Sequence, residues 1–295
     1  MGSAHGAYEE RPQSAWIPEV TETEVGYGIV GAGRLAQAIA RRLAQSGAAP
    51  GFISSRRPGR AEALASELGW AVGQSPEEVL TGSRLTLLCA LDVELGPLAQ
   101  ELASGVSLRN RVVAHCAGSQ GLEPLAPLRK RGCALGVFHP LAPFPDGDPS
   151  SFDHTFISIE AEPEARAALR ELAGLLGCQV IEMEAVDRPL YHAAAVFAGV
   201  LPVLLERVAE RLGSASGGGA SLADGLRALH LASARNVKRL GPELGLSGPQ
   251  QRHDDVTVNA HLAALRRLDP ALAQLYASIH EAAKLAPADR TGEGG

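Results

Sequence analysis

Over residues 25–186, apolar positions fall into short runs separated by stretches of helical period. Tyr27–Val30, Gly51–Ser54, Trp70–Val72, Leu85–Ala90, Val112–Ala114, Ala134–Phe138, Phe156–Glu160 and Gln179–Glu182 each read as a strand. Leu85–Ala90 is apolar throughout, as expected of a parallel strand covered on both faces. Between the runs, Leu35, Ile39 and Leu43 recur at four-residue spacing along one helical face, which Gly47 closes. Ala61–Leu68 and Glu162–Leu176 read as helices too. Ser75-Pro76-Glu77-Glu78 opens another with a serine cap, a first-turn proline and a glutamate three residues on. From Asp187 the pattern becomes helical only. Arg188–Leu212 reads as one long helix broken or kinked near Pro202, and Gly213–Ala220 as a flexible connector. Ser221–Leu240, Asp255–Leu268 and Pro270–Leu285 read as further helices. The chain shows no internal repeat.

This pattern predicts an α/β part over residues 25–186, with a doubly wound, mostly parallel sheet, then an all-helical part over 187–286. A loose polar tail is expected over 1–24 and a disordered one over 287–295.

The chemistry gathers where strands end. The first strand runs into Gly31-Ala32-Gly33-Arg34-Leu35-Ala36, the G-x-G-x-x-G/A turn of a dinucleotide-binding βαβ unit. Gly31 permits a tight turn, Gly33 lets the backbone approach a pyrophosphate, and Ala36 lets helix pack on strand. The first amides of the helix then face the phosphates. The second strand ends in Ser54-Ser55-Arg56-Arg57-Pro58-Gly59-Arg60. An NAD-binding unit usually places an acid there for the ribose 2′-hydroxyl. Serines and arginines suit a 2′-phosphate instead, because guanidinium groups bind phosphate oxygens in a planar fork. NADP(H) is therefore the expected cofactor, against the plainer reading of a solvated basic loop. Ala90 and His115, at the ends of two further strands, complete the expected cofactor set. Asp92 follows the Leu85–Ala90 run either as a ligand-facing group or as a helix cap.

Composition narrows the class. A chain of 295 residues can bury a sizeable core, and a net charge of −6 argues against a nucleic-acid surface. Four cysteines lie far apart without C-x-x-C spacing, so they read as reduced thiols and no metal site is expected. The apolar stretch Ala193–Leu205 is too short to span a bilayer and holds Pro202. No secretory signal is evident at the N-terminus, so a cytoplasmic location without a membrane partner is expected.

With these stretches placed, Tyr27–Leu285 resembles a family of bacterial Rossmann-like proteins whose helical C-terminal half is a domain of unknown function. The residues that carry the resemblance are the glycine turn, His115–Ser119, His139-Pro140 with Phe144, Leu190-Tyr191-His192-Ala193-Ala194-Ala195, and Ser247-Gly248-Pro249 with Arg252 and Asp254. That family is similar to ketopantoate reductases, pyrroline-5-carboxylate reductases and 3-hydroxyisobutyrate dehydrogenases. The resemblance implies NAD(P)H-dependent reduction and a helical domain that pairs subunits. It implies that Ala117, Gly118 and Ser119 hold a substrate carboxylate. It also places Arg188 and His192 where relatives often carry Lys-x-x-x-Asn.

Arginine does not give up its proton, so acid–base work would pass to His192, one turn along. Arg188 would bind a carboxylate or polarise a carbonyl. His139 is a second catalytic candidate, or a buried turn residue, and His192 itself could be a satisfied core histidine. Tyr191 either touches substrate or packs between domains. Two further departures from relatives, the apolar Gly199-Val200 and His253, imply a drier pocket. The expected function is NADPH-dependent reduction of a small carboxylate-bearing carbonyl, a ketopantoate-like 2-oxo acid, or an imine. The alternative is a non-catalytic NADP(H)-binding sensor. The long apolar faces of Leu222, Leu226 and Leu229 with Leu262, Leu265 and Leu268 predict a homodimer through the C-terminal helices.

Overall fold

The structure is a computed structural model that describes residues 25–249, 252 and 254–282; the two expected tails, His253 and residues 283–285 of the last predicted helix lie outside them. The predicted strands are all present: β1 (Val25–Val30), β2 (Phe52–Ser54), β3 (Ala71–Val72), β4 (Ser83–Leu88), β5 (Val112–His115), β6 (Ala134–Pro140), β7 (Phe156–Ala161) and β8 (Gln179–Glu182). They form one sheet in the order β3-β2-β1-β4-β5-β6-β7-β8. Neighbours from β3 to β6 are parallel. β7 runs antiparallel to β6, and β8 parallel to β7. The reversal follows from the connection after Pro140. It holds only the short 3-10 turn Pro149–Phe152, so no crossover helix carries the chain back for a parallel return.

Helices α1 (Arg34–Gln45), α2 (Pro58–Leu68) and α5 (Pro163–Leu175) cover one face of the sheet. Ile39, Leu43, Leu64, Leu169 and Leu172 pack there with Ile29, Phe138 and Ile159. On the other face lie α3 (Pro76–Gly82), α4 (Asp92–Glu101) and the 3-10 segment Glu123–Arg131, which bury Leu80, Leu95, Ala99 and Leu128. Each fully buried aliphatic side chain contributes roughly 1.5–3 kcal/mol. The Ser75 hydroxyl accepts from Glu78 N at 3.2 Å, as the capping pattern predicts. No bounds are read for helix α4 from the sequence, although Asp92 is offered as a helix cap; the helix runs through Gly96 and Pro97. It forms because Leu95 and Ala99, both fully buried, present a packed face one turn apart.

The C-terminal part contains α6 (Arg188–Ala215), α7 (Ala220–Gly245), α8 (Asp255–Leu268) and α9 (Pro270–Ala282). Within α7, Gly241 takes φ 79° ahead of Pro242, so the helix breaks where the sequence places its end, and a short piece continues beyond. Asp254 caps α8 by accepting from Thr257 N at 3.1 Å. By contacts the chain divides into two compact units, Met1–Pro202 and Val203–Gly295. The division falls inside α6, so its first turns belong to the sheet-containing unit. In the second unit Leu229 and Leu244 remain 63% and 74% exposed. Helix α6 exceeds the apolar stretch read from sequence and is long and apolar enough to cross a membrane by length and composition alone.

Candidate active site

At the end of β1 the chain turns at Gly31 with φ 123°, a conformation that a side chain resists. A Cβ at this position would also press on the carbonyl oxygen of Cys89. The turn is pinned on both sides. Gly31 N donates to Ser54 O at 2.8 Å, and Cys89 N donates to Val30 O at 2.8 Å. Gly33 is the N-cap of α1 and faces open space, leaving the first amides of the helix without a side-chain cap. Such amides are suited to an anion.

Over this turn opens a cavity of about 1020 Å³. It lies at the carboxyl ends of the paired strands β1 and β4, from which the chain continues to opposite halves of the sheet, the position at which open α/β sheets bind ligands. Its size suits an extended nucleotide. Gly31, Ala32, Gly33, Arg34 and Leu35 form its floor, Ser55, Arg56, Arg57 and Arg60 one end, and Ala90, Asp92, Cys116 and Ala117 the other. Among the described residues Arg34, Arg57 and Arg60 have no side-chain partner. Arg56 pairs with Glu94.

Two expected cofactor residues stand elsewhere. Ser54 is buried outside the lining, and its contribution is the carbonyl that braces Gly31. His115 is fully buried and holds the turn that follows it. Its Nε2 donates to Gly121 O at 2.7 Å, and its Nδ1 accepts from Ala117 N at 3.1 Å. Both ring nitrogens are thus committed in the neutral form, and burial lowers the pKa, so His115 shapes the 117–119 turn. Asp92 is not a helix cap either. Leu91 occupies that position, and the Asp92 carboxylate accepts from Ser119 Oγ at 2.5 Å while Gln120 Nε2 donates to Asp92 O.

Next to Ala117, Gly118 is enclosed by two imidazoles. A Cβ there would lie 2.6 Å from His139 Nε2 and 2.7 Å from His192 Cδ2. The two rings meet edge-on with centroids 5.8 Å apart. His139 is the penultimate residue of β6, and the antiparallel register sets it opposite Ser158. Tyr191 reaches in from α6, donating to Ser158 Oγ at 2.8 Å and meeting His139 Nδ1 at 2.7 Å. With the phenol proton directed at Ser158, Nδ1 carries the His139 proton and Nε2 is left as an acceptor facing Gly118. Burial foremost, then His192 and Arg188, push the His139 pKa down to about 4. Burial likewise raises that of Tyr191.

Arg188, in the first turn of α6, is only 5% exposed. Its Nε donates to Glu160 Oε2 at 2.7 Å and its guanidinium lies 5.5 Å from the Tyr191 ring centre. Both Nη atoms are buried without a hydrogen-bond partner. Arg188 and His192 do share a helix face, but the arginine turns to Glu160 and the histidine to Gly118. The structure therefore brings together Gly118, His139, Tyr191, His192 and Arg188. Glu160 and Ser158, which the sequence reading missed, join them. Their signal was the alternation Ser158-Ile159-Glu160, which sets two polar groups on one face of an apolar strand. Among the described residues no cluster fit to hold a metal occurs, and all four cysteines are free.

Residues 10–140 match the family described as a Rossmann-like domain, and residues 155–283 match a domain of unknown function, DUF2520. The chain thus joins a segment similar to Rossmann-like domains to one similar to DUF2520 domains. No curated protein matches this chain. Among solved structures, the chain is similar to a Bacteroides fragilis protein assigned as an NADP oxidoreductase, at 25% identity and TM-score 0.73, over 88% of this chain and 98% of that one. It shares its fold with a reductive aminase from Aspergillus terreus in complex with NADPH, at 20% identity, TM-score 0.60 and 88% of each chain. It also shares it with a pyrroline-5-carboxylate reductase from Coxiella burnetii, at 15% identity and TM-score 0.59, over 89% of this chain and 99% of that one.

Proposed function

We propose that this chain is an NADPH-dependent reductase of a small carbonyl or imine compound bearing a carboxylate. The observation that carries the cofactor half is the cavity over Gly31, which joins open helix amides at its floor to arginines at one end. Pyrophosphate suits the amides, and a 2′-phosphate suits Arg57 and Arg60. When bound there, the reduced nicotinamide supplies the hydride. The likeness to an assigned NADP oxidoreductase supports the same reading.

The protein's part is to orient substrate and move a proton. The buried Nη atoms of Arg188 offer a fork to a carboxylate, and Glu160 fixes the direction of that fork. The turn at Ala117–Ser119 flanks the reacting centre, with His139 and His192 closing over Gly118. His139, neutral with its proton on Nδ1, orders Tyr191 and cannot supply a proton near neutral pH. We assign proton donation to His192, which would give its proton to the carbonyl oxygen or imine nitrogen of the substrate. A ketopantoate-like 2-oxo acid is the substrate we favour.

In this reading residues 25–186 form the cofactor domain and 187–286 the substrate and dimerisation domain. The exposed apolar side chains of α6 and α7, including Phe197 at 71% and Leu229 at 63%, form the homodimer face. The start of α6 is tied to the sheet through Arg188–Glu160 and Tyr191–Ser158, which favours this use of its apolar length over a bilayer. The free cysteines suit the reducing cytoplasm. The test is incubation of the purified chain with NADPH and a panel of 2-oxo acids and cyclic imines, following loss of reduced-nicotinamide absorbance. Consumption with a carboxylate-bearing member supports the proposal, and no consumption with any member counts against it.

A further inference from the structure

In the sheet, β1 lies between β2 and β4, and the glycine turn follows β1. Arg56 stands just beyond β2, and Glu94 stands in the first turn of the helix that follows β4. A contact between their side chains therefore passes over the end of β1. The two make that contact fork to fork, with Nη1–Oε1 at 2.7 Å and Nη2–Oε2 at 2.9 Å. Both line the same cavity. The Arg56 side chain is 80% exposed and that of Glu94 29%, so the pair spans the cleft at its wet edge.

We propose that Glu94 is a specificity-determining residue, a built-in carboxylate that occupies the fork of Arg56 across the cleft and is exchanged for the 2′-phosphate of the cofactor. The inference rests on reading this cleft as the NADP(H) site. An exposed ion pair holds only weakly, so it can be exchanged. A phosphate dianion is the stronger partner for the same planar fork. Arg57 and Arg60 line the same end with no side-chain partner among the described residues, so of these three arginines only Arg56 must first give up an anion. A nucleotide without a 2′-phosphate offers nothing to replace Glu94, and the strap stays closed over it. Glu94 thus reduces the margin by which the cleft prefers the phosphorylated cofactor.

The test compares adenosine 2′,5′-bisphosphate with adenosine 5′-monophosphate by calorimetric titration of the full chain and three variants. In Glu94→Gln, an isosteric change at a wet position, the bisphosphate should bind about 5-fold more tightly, the scale of an exposed ion pair, with monophosphate affinity unchanged. In Arg56→Gln the preference for the bisphosphate should shrink, and adding Glu94→Gln to that variant should bring no further gain. Unchanged or weaker bisphosphate binding in Glu94→Gln overturns the proposal. A gain that persists without Arg56 overturns the exchange at that arginine. If the unaltered chain binds both nucleotides equally, the cofactor reading itself fails and takes the proposal with it. A preference in the unaltered chain that Glu94→Gln leaves unmoved removes the role of Glu94 alone.

Discussion

Replacing Arg188 by Met should disable the enzyme selectively toward carboxylate-bearing substrates. The side chain is 5% exposed, held through Nε by Glu160 at 2.7 Å, and both of its Nη atoms lack partner and solvent. A guanidinium left in that state is short of hydrogen bonds that a ligand carboxylate would supply in a matched pair. Two charge-assisted hydrogen bonds at about 1.5–3 kcal/mol each amount to roughly 3–6 kcal/mol of binding. Their loss corresponds to a fall of about 10²–10⁴ in kcat/KM. Arg188→Lys, which keeps charge without the fork, should fall between. A neutral ketone or imine of similar shape should lose less than about tenfold with Arg188→Met, because it never used the fork. The variant leaves Glu160 without its partner. The double variant Arg188→Met with Glu160→Gln removes that charge, and its thermal melt reports whether the fold survives. The assay is steady-state NADPH consumption with matched charged and neutral substrates. Equal losses on the two, or a loss under tenfold on the charged one, would refute the assignment.

Three other outcomes are expected. His139 is held neutral with its pKa at about 4, against an ordinary value of 6.5. The unfolded chain therefore takes up a proton that the folded chain refuses as pH falls through this window, and stability should drop by on the order of 3 kcal/mol. Urea melts at about pH 7 and about pH 4 should show that drop shrink in His139→Gln, and an unchanged drop contradicts the reading. Gly118→Ala drives a methyl into both imidazoles and should cut turnover at least about tenfold, as should His192→Gln by about 100-fold, with NADPH affinity kept in each. Near-normal turnover in His192→Gln would move the proton donor elsewhere. Leu229→Glu, at a side chain 63% exposed in the single chain, should convert a dimer to a monomer by light scattering; a monomeric unaltered chain counts against the interface.

The strands were legible because each is a short apolar run closed by a turn residue, and the cofactor cleft because its glycines carry a backbone requirement visible as a motif. What depended on connections was not legible. The direction of β7 follows from the missing crossover helix, and α4 contains Gly96 and Pro97, residues that interrupt a helical pattern. Roles proved harder than positions. His115 was correctly placed at a strand end, yet its ring is spent on Gly121 and Ala117, contacts that depend on how the following turn folds back. The partners of Arg188 and Arg56 are Glu160 and Glu94, residues 28 and 38 positions away. Only the sheet order, which no local pattern encodes, brings such pairs together.

We propose that the cleft over Gly31 takes NADP(H) through its arginine-lined end. Equilibrium titration of the full chain with NADPH and with NADH tests it most directly. NADPH should bind tighter by about tenfold or more, the value of at least one charge-assisted contact to the 2′-phosphate. Equal affinities, tighter NADH, or no binding of either would contradict it.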